Sequence, residues 1–344
     1  MSVFVVGVDG GTTKTIALVA DEEGHILGAA RGLGSNWTGE DVEAPMAIVA
    51  DTARAALRGA GLGGAGLGGD DVAMAMFCLA GADWPEDHAR RYAVLARANL
   101  ARQICVKNDT FAGLRAGTRL PYGIAIAAGT GANAAVVAPD GREWAYGYYV
   151  TEGNGASEIA EQALRALLRA DDGRDPPTML TKMVLDQLGY PTVEALLRAR
   201  VAGRVERNRL LALCPLVFAA AEQGDAAAAA ILVHQGRALA EYAIALARRF
   251  AMLDLKFDVV LAGSLFKGRG PLLIDTVTQA IHVVVPRAHI VRAPFEPAVG
   301  SVLLAYDALD LSPSDKVYAN LARTISPPPF FDTAKSDGYW LATP

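Results

Sequence analysis

The chain contains two copies of a strand–turn–strand unit whose turns are rich in glycine and threonine. In the first copy, the apolar residues 3–8 lead into Asp9-Gly10-Gly11-Thr12-Thr13-Lys14-Thr15 and a second apolar run, 16–20. In the second copy, apolar runs 122–128 and 134–137 flank Gly129-Thr130-Gly131-Ala132-Asn133. Each copy then passes a polar turn and enters a third predicted strand. This repetition indicates an internal duplication.

Both turns have the composition of a phosphate-binding hairpin. Glycines let the backbone turn tightly and present its N–H groups to an anion, while threonine hydroxyls add donors and Lys14 adds positive charge. Asp9, at the end of the first strand, can hold a hydrated Mg²⁺ against the phosphates. An ordinary tight hairpin also explains one copy, with Lys14 as a solvated charge. Two facing copies could clamp a polyphosphate, which predicts a nucleotide ligand.

Length and composition limit the class of protein. A chain of 344 residues exceeds what one core usually holds, and 52% hydrophobic with 20% charged residues is typical of a globular protein. The net charge of −5 gives no electrostatic footprint for nucleic acid, and no apolar stretch approaches the roughly 20 residues of a membrane span. Three distant cysteines and no signal peptide pattern predict a cytoplasmic protein with buried thiols.

Predicted strands and helices alternate through most of the chain. Helices at 44–60, 85–99 and 111–117 alternate with strands at 72–79 and 103–107, and residues 59–69 are expected to form a flexible surface connection. The second half has predicted helices at 157–168, 210–222, 226–250 and 301–309, and strands at 257–262 and 289–292. We expect an α/β protein with mainly parallel sheets, in which ligands bind where strands end.

The order of the motifs resembles the actin-like ATPase and sugar kinase superfamily. After the first hairpin come Asp109 at a strand end, the second hairpin, Gly263-Ser264 after a strand, and Ala298-Val299-Gly300 opening a late helix. Within the superfamily the chain is most similar to the N-acetylglucosamine kinases and their BadF/BadG/BcrA/BcrD-type relatives, over about residues 3–309. The resemblance implies two ribonuclease-H-like domains around a cleft, at 1–117 and 118–311, followed by a proline-containing tail at 312–344 that packs on the surface or frays.

The resemblance also implies a site for ATP and Mg²⁺ and one for a sugar. Asp9 would organise Mg²⁺ through water, the two hairpins would contact the phosphates, Gly263 and Ser264 would approach the adenosine, and Ala221 would lie near the base. The sugar would meet Asn36, Asp83, Asn108 and Asp109, with Asp109 as the catalytic base. The implied nucleotide-site residues are Asp9, Gly10, Gly11, Thr12, Thr13, Gly129, Thr130, Gly131, Ala221, Gly263 and Ser264.

The chemistry of phosphoryl transfer asks for a residue such as Asp109. Catalysis is mostly positioning and charge neutralisation, with a carboxylate accepting the proton of the attacking hydroxyl. An alternative is that Asn108-Asp109-Thr110 only caps the following helix, and Asp83, before Trp84-Pro85, could likewise be a cap.

One segment departs from the kinases that the chain resembles. Where they carry Gly-Trp-Gly-His and then Gly-Asp-Glu-Gly-Ser, residues 145–155 have Tyr146 and Tyr148 in place of Trp and His, and Glu152 as the only acid. Tyr146, Gly147 and Glu152 are the implied sugar contacts, although Glu152 could be a helix-start acid. The identity of the sugar is therefore the part of the functional prediction that depends most on this segment.

The sequence thus predicts an ATP-dependent amino-sugar kinase, with the 6-hydroxyl of N-acetylglucosamine as the leading acceptor. Alternatives are glucosamine or another sugar, or an ATPase of the dehydratase-activator type that acts on a protein partner. The expected partners are a small-molecule sugar and a second copy in a homodimer, but no nucleic acid and no membrane.

Overall fold

Two five-stranded sheets form the framework of the protein in a computed structural model, which describes residues 3–37, 39, 41–62, 71–327 and 330–331. The strands of the first sheet are β1 (Phe4–Gly10), β2 (Lys14–Asp21), β3 (Ile26–Leu33), β4 (Val72–Leu79) and β5 (Gln103–Asn108). Those of the second are β6 (Gly123–Ala128), β7 (Ala132–Val137), β8 (Glu143–Ala145), β9 (Asp258–Ala262) and β10 (His289–Arg292).

The two sheets repeat one topology. The first has the order β3-β2-β1-β4-β5 and the second the order β8-β7-β6-β9-β10. In each, the first three strands pair antiparallel in chain order, the fourth pairs in parallel with the first, and the fifth pairs in parallel with the fourth. The predicted α/β fold with two similar halves is therefore confirmed. Each sheet with the helices on it forms one lobe of the molecule.

Helices cover both sheets. In the described residues they are α1 (Glu43–Gly59), α2 (Pro85–Ala96), α3 (Asp109–Gly117), α4 (Gly155–Asp171), α5 (Met179–Leu188), α6 (Val193–Val201), α7 (Arg207–Leu211), α8 (Cys214–Glu222), α9 (Ala226–Arg249), α10 (Leu272–Val284), α11 (Pro297–Ala308) and α12 (Asp315–Thr324). None of these is by itself long and apolar enough to cross a membrane, although Arg207–Glu222 and Ala226–Arg249, bent by 114° at their break, pass the length and composition criteria as a pair.

Apolar residues hold helices against both faces of the first sheet. Helices α1 and α2 contribute Met46 and Leu95 to a cluster on one face, and α11 contributes Val302 to the cluster on the other. Strands buried on both faces read as continuous apolar runs, which is why 72–79 could be recognised as a strand.

Helices α3 and α11 lie between the lobes in backbone contact. A Cβ on Gly300 of α11 would stand 1.9 Å from the carbonyl oxygen of Ala112 in α3, so only glycine fits there. Leu114 of α3 packs on Val260 of the second sheet, while α11 packs on the first. The predicted domain boundaries, 1–117 and 118–311, stay a prediction, and α11 packs on the first sheet although it follows the second in the chain.

Parallel pairing aligns the strand ends that carry the predicted site. Gly10 of β1 lies beside Leu79 of β4, and Leu79 lies beside Asn108 of β5. The loops after these strands therefore leave the same edge of the first sheet. In the second sheet, β6 and β9 pair in parallel and bring Gly129 and Gly263 to one edge in the same way.

Two regions differ from the sequence prediction. The helix expected at 210–222 is broken after Leu211, because Pro215 stands in the first turn of α8 and cannot continue a helix from the preceding turn. The tail, expected to pack on the surface or fray, contains a helix that was not predicted, α12, which buries Val317, Tyr318 and Leu321 against the first lobe. The flexible connection predicted at 59–69 lies mostly outside the described residues.

Candidate active site

The first hairpin exposes a tip with free donors. Thr12 and Thr13 are exposed between β1 and β2, and the Gly11 amide donates to the Lys14 carbonyl at 2.9 Å to close the turn. The backbone amides of Thr12 and Thr13 donate no hydrogen bond to any group within the described part of the chain. Thr15, by contrast, is buried and donates to the Leu33 carbonyl at 2.8 Å, so its role is structural.

Charges surround Asp9 behind this tip. Burial and the nearby Glu296 carboxylate raise the pKa of Asp9 to about 6, against the opposing effect of Lys14. Burial lowers the pKa of Lys14, while Asp9 and Glu296 favour its charged form. Lys14 is therefore not the solvated charge that the alternative reading of the hairpin required. Lys267 forms an ion pair with Glu296 and is itself exposed.

The second hairpin rests on the first turn of α4. The amides of Ala156 and Ser157 donate to the carbonyls of Gly129 and Thr130, at 2.8 and 3.1 Å. Gly155 has a φ of +62°, and a Cβ there would stand 2.3 Å from the Gly131 carbonyl oxygen. These contacts fix the backbone of the turn without using the hydroxyl of Thr130.

The predicted adenosine residues lie on the second lobe. Gly263, with a φ of +98°, follows β9 and packs on the Ala128 carbonyl, which brings Ser264 next to Gly129. Ala221 lies in the last turn of α8, one residue before Glu222, whose carboxyl group packs against Gly270. Ala221 and Ser264 therefore lie near opposite ends of one loop, 264–270.

Asn108, and not Asp109, caps α3. The Oδ1 atom of Asn108 accepts a hydrogen bond from the Thr110 amide at 2.9 Å, and Asp109 is the first residue of the helix. Because Asn108 fills the cap position, the carboxyl group of Asp109 is available for another role. Burial, with repulsion from Asp9 and Asp83, raises the pKa of Asp109 to about 7, only partly opposed by amides at the helix start.

Hydrogen bonds through Asn108 join the two lobes. Its Nδ2 donates to Oδ1 of Asp83 at 2.7 Å, and its Oδ1 accepts from Nδ2 of Asn133 in the second hairpin at 3.2 Å. Oδ1 of Asn133 in turn accepts from the Gly147 amide at 3.0 Å. Gly147 has a φ of +52°, and a Cβ there would stand 2.5 Å from Cγ of Asp83. The segment that departs from the family thus lies directly on a predicted sugar contact.

The other residues of that segment separate into different environments. Tyr146 packs on Trp144 and Tyr242 in the core of the second lobe, with ring centroids 4.8 and 4.6 Å away. Tyr148 instead faces Trp84 of the first lobe, with centroids 4.7 Å apart. Glu152 is exposed, and its carboxylate forms no hydrogen bond within the described residues, although its backbone contacts the Tyr242 hydroxyl.

Asn36 links the first hairpin to the loop that carries Gly81 and Asp83. Its Nδ2 donates to Oγ1 of Thr12 at 3.2 Å, and its Oδ1 lies against Gly81, two residues before Asp83. The structure thus brings together the predicted Asn36, Asp83 and Asn108 at one edge of the first sheet.

Several neighbours of the site were not singled out from the sequence. Asn133 could have been, since it ends the second hairpin motif. Glu296 precedes Pro297 at the start of α11, a helix-start signal and not a site signal. Nothing in the local sequence distinguishes Trp84 or Arg91, because their contacts come from distant parts of the chain.

The described residues contain no group of three or more His, Cys, Asp or Glu side chains arranged to hold a metal directly. An ion bound through water, as expected at Asp9, does not need such a group. Cys78 and Cys214 are buried and Cys105 is partly buried, and burial raises the pKa of all three thiols. The prediction of buried thiols is thus confirmed for two of them.

Comparison with known proteins gives a consistent assignment. Residues 6–305 match the model of the BadF/BadG/BcrA/BcrD ATPase family. The chain is 24% identical over 312 residues to the N-acetyl-D-glucosamine kinase of Dictyostelium discoideum, covering 88% of this chain and 98% of that protein. The resemblance inferred from the order of the motifs is therefore confirmed.

Solved structures share the fold. A candidate N-acetylglucosamine kinase of Chromobacterium violaceum is 25% identical, with a TM-score of 0.63, covering 88% of this chain and 98% of that one. A ROK family glucokinase of Streptomyces griseus, in complex with glucose and AMPPNP, is 18% identical, with a TM-score of 0.54 and the same coverage. At that identity, the second likeness is one of fold alone.

Proposed function

Since the chain belongs to the BadF/BadG/BcrA/BcrD ATPase family, we propose that it is an ATP-dependent kinase of an amino sugar, with the 6-hydroxyl of N-acetylglucosamine as the leading acceptor. The similarity to the Dictyostelium discoideum kinase over nearly its whole length supports this substrate class. Glucosamine and other hexosamines come next, because residues 145–155 differ from the pattern of the kinases that the chain resembles.

The observation that carries the proposal is the state of Asp109. Its carboxyl group is not needed as a helix cap, and its pKa of about 7 suits a general base that works near neutral pH. In the proposed reaction the sugar oxygen bonds to the γ-phosphorus, the bond from that phosphorus to the β–γ bridging oxygen breaks, and ADP leaves. Asp109 accepts the proton of the attacking hydroxyl.

Both hairpins are proposed to hold the phosphates. The free amides and hydroxyls of Thr12 and Thr13 provide donors on the first lobe, and Thr130 provides a hydroxyl on the second. Asp9 fits a role in holding Mg²⁺ through water, because a cation would offset the cost of ionising its half-buried carboxyl group. Bound there, Mg²⁺ would neutralise phosphate charge.

Asn36, Asp83 and Asn108 are proposed to orient the sugar beside Asp109. Contacts across the cleft at Asn133 and Gly147 favour exclusion of water, which would otherwise compete for the phosphoryl group. Contacts from Tyr146 and Glu152 to the sugar stay predictions, as do a cytoplasmic location and a homodimer.

The test is ADP release measured with ATP and Mg²⁺ across a panel of hexoses, amino sugars and N-acetyl amino sugars. We expect turnover only with a sugar present, and fastest with N-acetylglucosamine. Asp109→Asn should lower kcat by about 10²- to 10⁴-fold and leave nucleotide affinity nearly unchanged. ATP hydrolysis at full rate without sugar would overturn the proposal and favour an ATPase that acts on a protein partner.

A further inference from the structure

Arg91 is a charged residue that the proposed reaction does not use, and yet it is fully buried. Its side chain, on α2, is 0% exposed. Within the described residues its guanidinium donates only to backbone carbonyls: Nη2 to Trp37 at 3.1 Å and to Ala80 at 3.2 Å, and Nη1 to Asp87 at 3.4 Å. It also lies over the Trp37 ring, 5.1 Å from the centroid.

Burial of this group is costly. Removing a guanidinium from water costs several kcal/mol unless a hydrogen-bonded carboxylate compensates, and none bonds Arg91 in the described chain. The Nε atom is buried without a partner there as well. An apolar side chain of similar length would fill the space at lower cost, so the charge calls for an explanation beyond stability.

The carbonyls that Arg91 binds belong to two loops of the sugar side. Trp37 directly follows Asn36, and Ala80 opens the turn that ends at Asp83. The loops meet at Gly81, whose φ is +73° and where a Cβ would stand 2.8 Å from Oδ1 of Asn36 and 3.1 Å from Nη2 of Arg91. Arg91 thus lies under the junction of the two loops.

We propose that Arg91 is a positioning residue for the sugar: it ties the loop of Asn36 to the loop of Asp83 and sets the distance between these two side chains. The inference rests on the proposed sugar kinase function and adds a residue that sets affinity for the sugar without touching it. Arginine serves here because its side chain is longer than that of lysine, and because its planar fork lets Nη2 bind both loops while Nη1 binds the Asp87 carbonyl.

The charge of Arg91 also acts on Asp83. Burial and the Asp87 carboxylate raise the pKa of Asp83, while Arg91, His88 and the hydrogen bond from Asn108 oppose that rise. Asp109 and Tyr148 also lie near enough to interact with this group of charges. Without Arg91, Asp83 would protonate at higher pH and lose strength as an acceptor for a sugar hydroxyl.

The experiment compares Arg91→Met and Arg91→Lys with Arg90→Met in the full-length enzyme. Arg90 is the matched control, because it is exposed and also lies over the Trp37 ring, at 5.9 Å, but its side chain donates to neither loop within the residues that the structure describes. We expect Arg91→Met to raise KM for the sugar by about 10-fold or more, as expected for loss of hydrogen bonds to a charged group, with KM for ATP within about 2-fold. The acid side of its kcat/KM profile for the sugar should also move to higher pH.

Arg91→Lys separates the geometric role from the electrostatic one. It should restore the acid side of the profile, because the charge returns. It should keep an elevated KM for the sugar, because the shorter lysine side chain does not reach both carbonyls. If thermal unfolding shows that Arg91→Met does not fold, the sugar KM of Arg91→Lys tests the role of Arg91 by itself. A raised sugar KM with an unchanged KM for ATP would support the role. A general loss of stability would instead alter ATP and sugar parameters together.

The two possible failures can be distinguished. Wild-type enzyme that releases no ADP in response to any sugar would overturn the proposed function and this inference with it. A wild-type enzyme that responds to sugar, with Arg91 variants whose sugar KM equals that of Arg90→Met, would overturn only the role of Arg91.

Discussion

Nδ2 of Asn133 in the second lobe donates a hydrogen bond to Oδ1 of Asn108 in the first, at 3.2 Å, and the same Oδ1 atom caps the helix that begins with Asp109. One oxygen therefore connects the second hairpin to the start of α3. Movement of the lobes that breaks this bond would disturb the residue directly before the proposed base. We therefore expect closure of the cleft and placement of the proposed base to be coupled through this side chain.

Replacing Asn133 by aspartate tests this coupling. The aspartate keeps the shape and the acceptor for the Gly147 amide, but it cannot donate to Asn108 and places a carboxylate beside Asn108 Oδ1. We expect kcat to fall by about 10-fold or more, because a partly buried hydrogen bond becomes a repulsion. Asn208→Asp, at an exposed position of α7, should leave kcat unchanged. Equal kcat values for both variants would contradict the coupling.

The general plan of the molecule could be predicted from the sequence. The apolar run 72–79 coincides with β4, since a strand buried on both faces needs apolar residues at every position. The duplicated hairpins correctly indicated two similar sheets. Helix α12 was missed because its ten residues lie between proline-containing segments and bury only one narrow stripe. The local pattern of so short a helix is weak, and its stability comes from packing on the first lobe.

The detailed contacts of the candidate site required the structure. Asp109 and Asn108 could be named from their motif, but only the structure shows which of them caps α3. The sequence analysis names Tyr146, and not Tyr148, as an implied sugar contact, and yet the Tyr146 ring lies in the core and the Tyr148 ring faces the opposite lobe. These differences depend on residues distant in the chain, and local patterns carry no information about them.

The rate should depend on pH through Asp109. A base acts only when ionised, and the pKa of this carboxyl group is raised to about 7 by burial and by its acidic neighbours. We therefore expect kcat for the preferred sugar to rise with pH up to about 7 and then to level off. The measurement is kcat at saturating ATP and sugar from pH 5 to 9. A rate already at its plateau at pH 5 would contradict the assignment.

Asp109 should also make the fold less stable at high pH. Because its folded pKa lies above the ordinary carboxyl value, it favours the folded state at low pH, and this contribution is lost as the pH rises through about 7. Asp109→Asn should therefore raise Tm at pH 8 and change it little at pH 4. Asp140→Asn is the control of opposite sign, since hydrogen bonds with Arg142 lower the pKa of Asp140. A Tm of Asp109→Asn below that of the wild type at pH 8 would refute the expectation.

A side chain at position 147 should displace Asp83 and weaken activity on the sugar. Alanine there would suffer the strain of a positive φ and also place a Cβ 2.5 Å from Cγ of Asp83. Gly141→Ala is a matched control, because Gly141 has a φ of +82° but nothing within 4 Å of the added Cβ. We expect each variant to lose about 1 kcal/mol of stability from strain, but only Gly147→Ala to lose about 10-fold or more in kcat/KM for the sugar. Equal values of kcat/KM for the sugar in the two variants would show that the contact between Gly147 and Asp83 does not contribute to activity.

The rings of Trp84 and Tyr148 should stabilise the closed cleft. They belong to opposite lobes, remain 52% and 47% exposed, and meet with centroids 4.7 Å apart. An aromatic pair contributes about 0.5–1.5 kcal/mol, so a double-mutant cycle with Trp84→Ala and Tyr148→Ala should give a coupling of that size in the sugar KM.

The single variants should also release more ADP without sugar, because a cleft that opens more often admits water. Tyr149→Ala, at a neighbouring ring that is 66% exposed and packs on Trp144 of its own lobe, should show no coupling with Trp84. Additive effects of Trp84→Ala and Tyr148→Ala would mean that the ring contact does not contribute to closure.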